Sequence, residues 1–250
     1  MVGKLLMRGL LVGLLAGIVA FGIAYLFGEP PLSEAILFEE QMAALEVPDP
    51  HAVEEEAPVS RTTQATTGLL TGTVILSMGL GGMFAIVFAF AHGRLGHLGV
   101  PQSSALLAAL CFVTVSLVPW LKYPANPPAS TFDDTVAYRT QLYFLMLALS
   151  IAASAGSLML RRKLLPQHGA WRASVIAVIC YLVAVGLVLG AMPAVNETPE
   201  AFPADVFWDF RIASLGIMFV IWAVIGLAFG IAAERLFPGR PAARGGILTA

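Results

Sequence analysis

The stretch KLLMRGLLVGLLAGIVAFGIAYLFGEPP, residues 4–31, decides the fold. After Lys4 and Arg8 it carries no charge until Glu29, and then it meets Pro30 and Pro31. A bilayer core about 30 Å thick needs roughly 20 apolar residues in helix, because no backbone polar group can stay unpaired there. Residues 5–27 meet that length. Two basic residues before an apolar run also open a signal sequence, but this run is long and has no small-x-small cleavage site before Gly28, so it reads as a retained helix.

Five further stretches qualify in the same way: 68–91, 103–121, 141–160, 173–192 and 212–233. The composition agrees, with 58% hydrophobic residues, 12% charged and a mean hydropathy of +0.83. A soluble domain carries about twice that charged share. The fold class is all-α, a polytopic transmembrane bundle of six spans forming one membrane domain over 1–236, with 237–250 as a cytoplasmic tail. Orientation follows from Lys and Arg near the helix ends. With the N-terminus inside, ten of the fourteen basic residues are cytoplasmic and only Arg61, Lys122, Arg139 and Arg211 lie outside. The same topology puts every acidic residue except Glu234 on the outer face. An odd number of spans spoils this sorting, so both termini are expected in the cytoplasm.

Polar residues concentrate in three outer-face loops, 28–67, 122–140 and 193–211. The first is acidic. Its 33–46 segment interleaves Ala35, Ile36, Phe38, Ala43 and Leu45 with Glu34, Glu39 and Glu40, which suits a short surface helix capped by Ser33. Beyond Pro48 and Pro50, Glu54-Glu55-Glu56 reads as a solvated linker. Each loop begins in proline-rich chain and ends on an arginine at the mouth of the next helix: Arg61, Arg139 and Arg211. Such arginines snorkel to lipid phosphates or pair with loop carboxylates such as Asp133 or Asp209. The alternative is that they hold the acidic loops over the entrance of a translocation path.

Small residues recur every fourth position at Gly9, Gly13 and Gly17, at Ala148, Ala152 and Gly156, at Gly186 and Gly190, and at Gly226 and Gly230. This spacing lets helix backbones approach closely and predicts a compact bundle or a homo-oligomer. Gly79-Leu80-Gly81-Gly82 reads as close packing. Cys111 and Cys180 fall inside apolar runs, which argues against a disulfide framework or a cysteine metal cluster. His92 and His97 are expected to be interfacial, and His51 and His168 stand alone. No His-Glu-x-x-His, Gly-x-Ser-x-Gly or phosphate-cradling loop is present, so an enzyme is not expected.

The outer acid is what the chain offers a ligand. A carboxylate-rich entrance concentrates cations, and oxygen ligands suit divalent first-row metals. Glu29, Glu39 and Glu40, with Glu34 among them, are the candidates nearest the membrane; they serve equally well to solvate an exposed loop. No carboxylate lies in the middle of a span, where coupling to protons or sodium usually needs one.

Several strings carry a family resemblance. Gly28-Glu29-Pro30-Pro31 with Glu39-Glu40, Val59-Ser60-Arg61-Thr62-Thr63-Gln64 and Pro119-Trp120-Leu121-Lys122-Tyr123-Pro124-Ala125-Asn126-Pro127-Pro128 resemble the CbtA family of probable cobalt transporter subunits. Tyr138-Arg139-Thr140, Pro193-Ala194-Val195-Asn196-Glu197, Phe202-Pro203-Ala204 and Trp208-Asp209-Phe210-Arg211 are similar to its later motifs. The resemblance spans roughly 5–234. It implies a bacterial inner-membrane protein that takes up cobalt(II) for cobalamin synthesis beside a small single-span, histidine-bearing CbtB-like subunit. No permanently bound cofactor is implied, lipid is the surrounding partner, and nucleic acid is not one. Under this reading Lys122, Asn126, Arg139, Asp209 and Arg211 shape the pathway. The competing reading is a membrane scaffold whose outer loops dock a partner and whose arginines are structural.

Overall fold

The computed structural model describes residues 2–45, 59–94 and 98–237, which are mostly helical with no strand among them. His51, His97, Glu54-Glu55-Glu56, Pro48, Pro50 and the tail from 238 onward lie outside the described residues. Five continuous helices are long and apolar enough to cross a membrane: α1 Val2–Leu45, α2 Arg61–Ala91, α3 Val100–Lys122, α4 Val136–Ala191 and α5 Ala204–Glu234.

The difference between six expected spans and five helices lies in α4. Its 56 residues would reach on the order of 80 Å if straight. It bends back instead. Gly169 takes φ 73° and ψ 169°, a conformation that a Cβ disfavours, and Pro166 lacks the N–H that a continuous ladder needs. On either side of this break the chain runs antiparallel: Ser157 Oγ donates to the Ala177 carbonyl at 2.6 Å, and Arg161 Nε donates to Ser174 Oγ at 2.9 Å. Leu142 and Met146 pack with Val185 and Met192. α4 is therefore a two-helix hairpin whose legs coincide with the fourth and fifth apolar stretches.

The first outer loop also departs from expectation, because α1 does not stop at Gly28. It continues through Pro30 and Pro31 to Leu45, so the surface helix is an extension of the first span and Ser33 lies inside it instead of capping it. A wide π turn at Ala24–Gly28 precedes the prolines, with the Glu29 N–H donating to the Ala24 carbonyl. Proline crowds the carbonyl one turn back, and a widened turn is a known way for a helix to absorb that conflict. α3 does the same at Phe112–Leu117, just ahead of Pro119. The cap that does form belongs to α2, where Ser60 Oγ accepts the Thr63 N–H at 3.3 Å.

The chain divides into two compact units. The first contains the described residues of Met1–Phe21, Leu70–Ala109 and Val220–Ala250. In it Gly9, Gly13 and Gly17 of α1 lie directly on the backbone of Gly81, Ser77 and Val74 of α2, in antiparallel order. Gly226 and Gly230 of α5 lie likewise against Ala108 and Pro101 of α3, and Ser104 Oγ donates to the Gly226 carbonyl at 2.6 Å. The ring of Phe84 meets Phe229 edge-on at 5.3 Å, and Phe88 meets it at 5.2 Å. His92 stacks on Phe88 and touches Phe237, as an aromatic at the end of this cluster. Arg8 donates to the carbonyl of Ala232 in the last turn of α5, where a cation meets the negative end of the helix.

The second unit, Gly22–Leu69 with Leu110–Phe219, holds the α4 hairpin, the C-terminal part of α3 and the start of α5. Ser150 Oγ donates to the Thr114 carbonyl at 2.7 Å, and Thr114 and Ser154 share a hydroxyl contact at 3.2 Å, so buried polar groups tie α3 to α4. A small cluster of Ala35, Phe202 and Val206 packs the α1 extension against the chain leading into α5.

Candidate functional site

The second unit contains a cavity of about 670 Å³ built on the end of α3, the chain joining it to α4, and the start of α5. The string Leu121-Lys122-Tyr123-Pro124-Ala125-Asn126 lines it, with Trp120, Arg139, Glu197, Trp208 and Arg211. The connecting chain holds its shape by a turn in which Ser130 Oγ donates to the Pro127 carbonyl at 2.6 Å. Ala129 there takes φ 56°, left-handed backbone that few side chains tolerate. Tyr123 donates its hydroxyl to the Pro193 carbonyl at 2.8 Å; burial, and then the neighbouring Tyr138, push its pKa upward.

The three arginines expected at helix mouths are compensated differently, and Arg211 lies about two turns inside α5, which begins at Ala204 and not at the end of the expected loop. Arg61 is paired with Glu29 and also donates to Ser33 Oγ at 3.2 Å. Arg139 lies 3.5 Å from the Glu197 carboxylate and donates to Thr135 Oγ1 at 3.2 Å and the Phe132 carbonyl at 3.1 Å, while Thr135 itself hydrogen-bonds Glu197. Arg211 has no carboxylate partner among the described residues. One Nη donates to Asn126 Oδ1 at 2.7 Å, the guanidinium lies 3.7 Å from the centre of the Phe207 ring, and Nε is buried without a partner. The Arg211 carbonyl accepts the Trp120 indole N–H at 3.1 Å, which fixes α3 to α5 beside the guanidinium.

The five residues expected to shape a pathway are thus mostly brought together. Lys122, Asn126, Arg139 and Arg211 line the cavity; Asp209 does not, and its side chain is exposed. The side chain of Asp133 lies outside the described ones. The metal candidates do not converge. Glu29 is 12% exposed and engaged by Arg61, whereas Glu39 and Glu40 are exposed farther along the same helix. Ten residues of helix separate Glu29 from Glu39, a rise of about 15 Å. Among the described residues no three His, Cys, Asp or Glu side chains form a group that could hold a metal ion. Glu197, Thr135, Trp120 and Phe207 were not anticipated as site residues. The i, i+4 spacing of Thr135 with Arg139 and of Phe207 with Arg211 is a signal that pointed to two of them.

Residues 2–234 match the family model described as probable cobalt transporter subunit (CbtA). The chain belongs to the CbtA family. No curated protein and no solved structure matches it. Nearly the whole described chain, cavity included, falls inside the CbtA match, and the five apolar helices agree with a multi-pass membrane protein acting as one subunit of a transporter.

Proposed function

We propose that this chain is the membrane-embedded subunit of a cobalt(II) uptake system in the bacterial inner membrane, supplying cobalt for cobalamin synthesis. The family match over residues 2–234 carries this reading. The chain crosses the bilayer six times with both ends in the cytoplasm. The fold-back at Gly169 supports that count, since it divides α4 into two legs and gives an even number of apolar legs. Arg161, Arg162, Lys163 and Arg172 cluster around the fold-back, where the positive-inside bias calls for a cytoplasmic turn. A reporter fused after Ala250 behaves as cytoplasmic on this reading; an exported reporter means a miscounted or cleaved span.

The family description as a subunit supports a partner, which we take to be a single-span CbtB-like protein whose histidines capture the metal. Glu39 and Glu40, exposed on the α1 extension, attract cations toward it without forming a site alone. Cobalt accumulation measured in cells expressing this chain with and without such a partner tests the reading. Uptake above background is expected only when both are present, with a modest loss in Glu39→Gln/Glu40→Gln. No uptake in any combination, with the protein verified in the membrane, removes the cobalt assignment.

A further inference from the structure

We infer that the cavity around Arg211 is a binding site for an oxyanion, a carboxylate or phosphate group carried on a small body that lies against the aromatic wall. Its lining holds Lys122, Arg139 and Arg211 against a single carboxylate, Glu197, which leaves a formal charge of +2. Glu197 is already engaged by Arg139 and Thr135, so it has little left to offer a cation. Lys122 and Arg211 have no carboxylate partner among the described residues. Arg211 is the under-compensated member, with one neutral amide, one ring face and a buried Nε that donates to nothing among the described residues. Charged groups taken out of water are ordinarily matched by an opposite charge, and a bound anion supplies the one missing here.

The size and walls fit such a ligand. A volume near 670 Å³ lies within the range of small-molecule sites. Trp120, Tyr143, Phe207 and Trp208 supply apolar and π surface around the cations, and the Asn126–Arg211 and Trp120–Arg211 contacts set the guanidinium in place before anything binds. A planar guanidinium is the side chain best suited to a carboxylate or phosphate. A bare divalent cation is disfavoured in the same place by like charge. The inference stands whether or not the chain moves cobalt.

The test uses the full chain purified in a neutral detergent, titrated with sodium citrate and with sodium phosphate at constant ionic strength. Intrinsic tryptophan fluorescence, to which Trp120 and Trp208 of the lining contribute two of the four indoles, is the readout, with thermal stability alongside. A saturable change is expected. Affinity falls on the order of tenfold in Arg211→Gln, through loss of a charge-assisted contact, and less in Lys122→Gln. The exposed Asp209→Asn leaves it unchanged. Phosphatidylcholine nanodiscs with and without phosphatidylglycerol distinguish sources. A change on adding phosphatidylglycerol that citrate and phosphate do not reproduce makes the anion a lipid headgroup, and the converse makes it a free solute. The inference is overturned by no saturable response to any of the three, by responses unaltered in both cationic variants, or by a response to cobalt(II) chloride alone. Should Arg211→Gln fail to fold, Lys122→Gln decides by itself, because its side chain makes no hydrogen bond or ion pair among the described residues; unchanged affinity there overturns the site.

Discussion

Gly13 in α1 and Gly186 in α4 belong to ladders with the same four-residue spacing, yet only one of them is used inside the chain. A Cβ added at Gly13 would run into the backbone of Ser77 and Met78, whereas one added at Gly186 meets nothing within 4 Å among the described residues. The same holds along each ladder. Gly9 and Gly17 are closed over by α2, and Gly226 and Gly230 by α3, while Gly156 and Gly190 are open. Small-residue spacing therefore marks a helix face able to accept a close neighbour, and only the fold says whether one arrives. Within the first unit that closeness makes the α1–α2 contact intolerant of a single methyl group. Gly13→Ala is expected to lower stability by about 2–3 kcal/mol, since overpacking against backbone cannot be relieved by a rotamer change. Thermal unfolding in detergent checks this, and a variant as stable as the parent means that α1 and α2 are not packed as described.

The second unit is held differently. Its helices are tied by hydroxyls and arginines to backbone carbonyls and to one another, so its sensitivity lies in charge pairs more than in volume. Arg139 and Glu197 are 21% and 15% exposed, which shields the pair from water more than an ordinary surface bridge. Arg139→Gln is expected to cost about 1–2 kcal/mol, leaving Glu197 with Thr135 alone. The double-mutant cycle with Glu197→Gln separates this from general damage. A coupling energy indistinguishable from zero places the pair among contacts that contribute nothing measurable, and the contrast between the units then narrows to packing alone.

Much of this was legible from residue order. Apolar length gives the helices and locates their apolar stretches to within a few residues, because the cost of unpaired backbone in lipid leaves few alternatives. What was not legible depended on contacts between distant positions. Pro30 and Pro31 look like a helix end, but a π turn at Ala24–Gly28 carries α1 past them. The arginine mouths were visible, as was pairing with carboxylates in general, yet the nominated Asp209 is exposed while Glu29 and Glu197 are the partners. The Leu121-Lys122-Tyr123-Pro124-Ala125-Asn126 string stood out as a motif; that Asn126 meets a guanidinium 85 residues later in the chain was not readable from either position.

The smallest expected effect tests the opening contrast from its other side. Gly186→Ala adds a methyl group where the chain offers no neighbour, and it replaces glycine with a residue that favours helix. In the isolated chain it should change stability by less than about 0.5 kcal/mol, with the sign toward stabilisation. The informative comparison is with the chain in native membranes. If the open ladder on α4 accepts a second copy or another subunit, Gly186→Leu weakens co-purification of that neighbour while leaving the monomer's unfolding temperature unchanged. If both quantities hold steady, the ladder faces lipid, and the four-residue spacing at Gly186 and Gly190 has no packing role in this protein.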